Sequence, residues 1–206
     1  MTSKTPPAVV TIFEDYGCGA EQIGPIVAAD LGVEWLGQRF SSEAIEAGET
    51  KAYEDGTIGR FLSSMGRFNP HPEGARSTAI GQEQDNENLE QNHIHVVQAA
   101  KDGVVVLGRN ATAILRQTPD ALHVRLVGKL GDRIKRAMTN DGIDEPTAER
   151  RQKNEDRVRA DMTQRFYAWD PNDPAEYDLV VNTSTMPAET AATLIAQAWR
   201  AKVAQT

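Results

Sequence analysis

The eight residues Gly17-Cys18-Gly19-Ala20-Glu21-Gln22-Ile23-Gly24 place three glycines directly after an apolar, β-branched run, Ala8-Val9-Val10-Thr11-Ile12-Phe13. Small residues let a backbone turn tightly. At a helix N-terminus the amides of such a turn can hold a phosphate. The stretch fits a GxxxxG frame but lacks the Lys-Ser/Thr pair that completes the usual phosphate loop. A plain strand-to-helix turn, with glycines for close packing, explains the same residues. Gly108-Arg109-Asn110 follows a second apolar run, Val104–Leu107, and puts an arginine where it can bind an anion bidentately or pair with a surface carboxylate. A third group is Arg150, Arg151, Lys153, Arg157, Arg159 and Arg165 on one charged stretch. Glu155 with Arg159, and Asp161 with Arg165, have i,i+4 spacing, so a self-paired solvated helix is one reading. The other is an arm that brings arginines onto a transferring phosphate, a reaction that needs mainly positioning and charge stabilisation.

Weaker signals fall around these. His93-Ile94-His95 is an H-x-H pair, but on the helix expected there the two rings diverge, so no metal site is assigned. Cys18 is either a thiol activated at a helix N-terminus or a small residue that fills a tight loop. Trp35, Trp169 and Trp199 read as packing residues.

The elements that must position these groups follow from periodicity. Ala8–Phe13 reads as a buried strand. Glu21–Leu31 reads as a helix with Ile23, Ile26, Val27 and Leu31 on one face and Gly32 as its stop. A short strand is expected at Val33–Leu36, a helix at Ser41–Ala47 and another near Thr57–Met65, before a long polar loop. Gln82–Lys101 reads as a helix with Leu89, Ile94, Val97 and Ala100 inward. Strand Val104–Leu107, helix Asn110–Leu115, strand Leu122–Val127 and helix Leu130–Met138 come next, with Ile134 and Met138 inward. Asp144 caps a long helix that has Pro146 in its first turn and runs to about Phe166. Tyr177–Asn182 is the last strand and Pro187–Ala204 the closing helix. Short apolar strands separated by helices imply an α/β protein with a parallel sheet covered on both faces. In such a sheet the ligand sits beyond the carboxyl ends of the strands, where the glycine loop and Arg109 fall.

Composition bounds the function classes. The chain has 206 residues and a formal net charge of −8. Residues 1–100 carry 6 basic and 15 acidic side chains (−9); residues 101–206 carry 16 and 15 (+1). The acidity argues against non-specific nucleic-acid binding, and no apolar run is long enough to span a membrane. One cysteine excludes a disulfide framework. No apolar signal region is visible, so a cytoplasmic location is expected.

Taken in order, YGCGAEQIG, VVVLGRNATAIL, LHVRLVGKLGDRIKRAM, NEDRVRADMTQRFY and DPAEYDLVVNTS resemble the cytidylate kinase-like family, a branch of the P-loop nucleoside monophosphate kinases. The likeness spans residues 8–36 and 102–200. It implies a single domain over 1–206 with about five parallel strands in order 2-3-1-4-5 and helices on both faces. It further implies a helical nucleoside-monophosphate insert at 40–101 and a lid at 140–172. Phosphoryl transfer from ATP, with Mg2+, to a nucleoside monophosphate or similar acceptor is the implied activity. A catalytically inactive sensor or scaffold is the alternative. On this likeness Gly17, Cys18, Gly19, Ala20, Glu21 and Gln22 hold the donor phosphates, Arg109 contacts the acceptor, and Arg159 and Arg165 act as lid arginines. The departures are specific. Ala20 and Gln22 stand where the lysine and the Ser/Thr of an ordinary phosphate loop belong. Glu14 and Glu21 stand where the family carries arginines.

Overall fold

A computed structural model describes residues 5–38 and 90–205, apart from the side chains of Val158, Asp161, Met162 and Arg165. The expected helices at Ser41–Ala47 and Thr57–Met65, the polar loop after them and Leu89 lie outside these residues. The chain divides into two compact units, 1–39 with 96–206, and 40–95.

The larger unit is built on β1 (Val9–Glu14), a strand whose side chains alternate between two buried faces. Val10 and Ile12 face α1 (Ala20–Leu31) and the closing helix, in a core that also takes Val105, Leu107, Val124 and Ile195. Val9 faces the other way, toward Val96, Val104, Ala111 and Leu115. Because both faces are covered, the strands read as continuous apolar runs rather than alternating ones. The others are β2 (Glu34–Leu36), β3 (Val104–Leu107), β4 (Ala121–Val127) and β5 (Leu179–Asn182). All pairings are parallel and the spatial order is β2-β3-β1-β4-β5. This is the expected order, with β1 in the centre and Val9 in register with both Val104 and Ala121.

Between the strands run α2 (residues 90–102), α3 (Ala111–Leu115), α4 (Leu130–Asp141), α5 (Glu145–Tyr167) and α6 (Ala188–Val203). Asp144 caps α5 as expected: its side chain accepts the Thr147 amide at 3.0 Å. Two inward positions are corrected. In α1 the buried stripe is Ala20, Ile23, Gly24, Val27 and Ala28, and Ile26 is exposed because it lies roughly 130° around the helix from that stripe's centre. In α2, Ile94 is exposed, about half a turn from the buried Val96. The last strand also starts later than Tyr177. Residues Pro174–Glu176 form a 3-10 turn, and the Tyr177 ring packs edge-on against Trp169 and tilted against Phe13 instead of entering the sheet. Among the described residues no helix is long and apolar enough to cross a membrane.

Candidate functional site at the carboxyl edge of the sheet

The turn after β1 is held from within. Cys18 donates its amide to Asp15 O at 3.1 Å, and Gln22 and Ile23 donate to Gly19 O as α1 begins. Gly17 adopts φ +82°, and a Cβ there would meet Arg133 O at 2.5 Å, so position 17 admits only glycine. Glu14, the last residue of β1, points to the α1 side of the sheet and is buried. Its Oε2 accepts the Ala20 amide at 3.0 Å. Burial pushes the Glu14 carboxyl above the ordinary carboxylate range, while Arg159 and the Ala20 amide pull the other way.

Arginines from the second half of the chain grip this turn. Arg133 Nε donates to Tyr16 O at 2.8 Å, and its Nη2 donates to Asp156. Asp156 closes the circuit by accepting the Tyr16 amide at 2.7 Å. Arg136, one turn along α4, donates to Gly17 O at 2.6 Å and to Thr183 O at 2.8 Å. Arg125 reaches Asp15 at 3.2 Å from β4. Arg159, on α5, donates to Glu14 O at 3.0 Å and to Glu155 at 2.7 Å. Charge-assisted bonds to backbone carbonyls on one side and carboxylates on the other fix the loop in a single shape.

Two clefts flank the turn. One, of about 350 Å³, runs from Cys18, Gly19, Gln22 and Ile23 past Arg136 to the Thr183–Ala188 segment. The other, of about 230 Å³, is lined by Glu14, Asp15, Arg125, Asp156, Arg159 and Asn172 among others. Arg125 Nε is buried there with no hydrogen-bond partner among the described residues.

The sequence-predicted residues are distributed as follows. Gly17, Cys18 and Gly19 form the turn, and Ala20, Glu21 and Gln22 open α1; Gln22 donates to Asn140 at 3.2 Å. Cys18 is buried, and burial together with the Glu14 charge pushes its thiol up to about 12, which selects the loop-filling reading over the activated one. Arg109 follows β3 with φ 53°, and its Nε donates to Gly37 O at 2.7 Å, next to the end of β2. Arg159 reaches the loop through Glu14. Arg165 lies on α5, with its side chain outside the described residues. Sequence reasoning assigned nothing to Arg125, Arg133, Arg136 or Asp156. The usable signal was Arg133 and Arg136, one turn apart on a helix entered from a strand's carboxyl end.

The side chains of the turn bear on how the implied ATP and Mg2+ would fit. Ala20 and Gln22 offer neither an ammonium nor a hydroxyl, and the first amide of α1 already holds a carboxylate. The residues of the turn, as arranged, do not fit a magnesium-bound polyphosphate.

Comparison with known proteins places the architecture. An uncharacterized protein of Eubacterium ventriosum shares the fold at a TM-score of 0.63 and 18% identity, over 94% of this chain and 98% of that one. A shikimate kinase from Acinetobacter baumannii, in complex with shikimate, aligns at a TM-score of 0.48 and 16% identity, over 94% and 93% of the two chains. A uronate isomerase of Corynebacterium glutamicum is 34% identical over 112 residues, which are 54% of this chain and 22% of the isomerase. The chain thus spans about a fifth of that relative's length. The model of the cytidylate kinase-like family matches residues 9–185, from the first residue of β1 to beyond the end of β5, and the chain belongs to that family.

Proposed function

We propose that the protein binds a nucleotide or a similar phosphate-bearing small molecule at the carboxyl edge of its sheet, and acts by binding rather than by turning over ATP. The observation that carries this is the 350 Å³ cleft beside the glycine turn. Its volume suits a base with its ribose. Its walls combine the Gln22, Arg136, Thr183 and Ser184 polar groups with Ile23, Met186 and Pro187. The kinase-like fold and the family are those of nucleotide enzymes, while the acids and missing cation of the turn favour binding without catalysis.

A second reading, phosphoryl transfer from ATP to a nucleoside monophosphate, draws on one observation. Arg125, whose Nε has no partner among the described residues, and Arg159 line the smaller cleft, where an acceptor's anion would be neutralised. One experiment separates the two. Thermal unfolding is followed with adenosine, AMP and ATP, with and without Mg2+, beside a coupled assay for ADP. Binding without catalysis predicts a rise in melting temperature, equivalent to about 2.7 kcal/mol at 100 times Kd, and no acceptor-dependent ADP. Thr185→Trp, which fills the larger cleft from an exposed position, should abolish the rise and leave the ligand-free melting temperature unchanged. ADP formation that depends on an acceptor establishes the second reading. Absence of any shift with every nucleoside and nucleotide overturns both.

A further inference from the structure

Glu14 places a carboxylate on the N-terminal end of α1. The carboxylate is 7% exposed and accepts the first amide of α1 at 3.0 Å. Arg159 donates to the Glu14 carbonyl at 3.0 Å and lies 3.9 Å from Oε1. A helix-terminal amide and a guanidinium are the partners that an incoming phosphate seeks.

An ordinary helix cap does not account for this arrangement. The N-cap of α1 is Gly19, which has no side chain to offer. The carboxylate comes instead from the end of a central strand, six residues before the amide it holds, and is buried to do so. Glu155, 1% exposed, accepts from the same guanidinium at 2.7 Å, so Arg159 is shared between two buried acids. Asp15 and Glu21 add negative charge at the two ends of the turn.

We propose that Glu14 is a specificity-determining residue: its carboxylate competes with ligand phosphate for the α1 amide and Arg159, so the site takes nucleosides and singly phosphorylated ligands in preference to polyphosphates. The inference rests on the nucleotide-binding reading of the adjoining cleft for its ligand class, and on the Glu14 contacts alone for its direction.

The test is calorimetric titration of the wild type, Glu14→Ala, Glu14→Gln and the double variant Glu14→Ala/Arg159→Ala. The probes are adenosine, AMP, ATP and inorganic tripolyphosphate. The wild type should bind AMP at least as tightly as ATP. Glu14→Ala should gain at least about tenfold for ATP and tripolyphosphate with adenosine unchanged, and the double variant should lose that gain. Circular dichroism and unfolding midpoints establish that each variant is folded. Should Glu14→Ala fail to fold, Glu14→Gln keeps the side chain's shape and its bond to Ala20, and should gain roughly threefold for tripolyphosphate. The proposal is overturned if the folded variants bind ATP and tripolyphosphate within about twofold of the wild type, or if adenosine gains equally. Wild-type ATP binding as tight as that of Glu14→Ala removes this inference and leaves the nucleotide reading intact. A tripolyphosphate gain with no form binding adenosine or AMP does the reverse.

Discussion

Cys18 shows how position overrules residue type. A thiol beside a helix N-terminus is a common route to a reactive thiolate. Here the side chain is 1% exposed, and burial with the nearby Glu14 charge raises it to about 12. The native protein should therefore react with iodoacetamide at pH 8 at least about a hundredfold more slowly than the urea-unfolded chain, with labelling followed by mass spectrometry. Comparable rates would mean that the turn opens. The candidate site was half legible for a related reason. The glycine turn is local, so its residues stand together in the sequence. The contacts of Arg133, Arg136 and Arg159 with Tyr16, Gly17 and Glu14 cross more than a hundred positions, and no spacing rule reaches that far. Glu14 and Glu21 could be noted as misplaced acids. That Glu14 turns inward onto an amide, while Glu21 stays exposed, depends on the register of β1 against its neighbours.

At the level of elements, α1 is placed by its contact with β2 as much as by the loop before it. A Cβ at Gly24 would lie 2.0 Å from Trp35 Cζ3 and 2.2 Å from Cη2. The helix backbone thus rests on the six-membered ring of the indole, and Gly24→Ala must displace the ring or tilt the helix. The expected loss is about 1–3 kcal/mol in urea unfolding, and Gly24→Ala/Trp35→Leu should recover part of it. No loss in the single variant would mean that the indole is free to move. Because the glycine turn opens α1, the single variant should also weaken the nucleotide binding proposed above. Elements with a strong local signal were legible to within a few residues: the strands, the Gly32 stop of α1 and the Asp144 cap. Inward faces were less so. Ile26 and Ile94 are apolar like their buried neighbours, and only the partner's position decides which side of a helix is covered.

Across the whole molecule, the net charge of −8 conceals a pairing between halves. Acids of the first half, Glu14 and Asp15, meet Arg125, Arg133 and Arg159 of the second. Basic residues of the second half are therefore partly paired inside the fold. Stability should respond to pH through two buried groups of opposite sign. His123 lines a cleft with Arg116, Asp178 and Lys202 and bonds through Nδ1 to Thr11 Oγ1 at 2.8 Å. Burial holds its pKa below 6.5, so the unfolded chain takes up the proton first, and this group's contribution is lost as pH falls through 6.5 to the lower folded value. Glu14 is raised above 4.5 chiefly by burial, so the folded chain takes up that proton first, and acidification toward 4.5 adds stability. Urea unfolding at pH 7.5, 6.5, 5.5 and 4.5 resolves the two. His123→Gln keeps a group that can accept from Thr11, and it should lose less stability than the wild type on acidification. Glu14→Gln should lose more. If His123→Gln follows the wild-type slope, His123 is not the acid-sensitive group; if Glu14→Gln does, the buried carboxyl is already matched by Arg159 and no longer opposes the histidine.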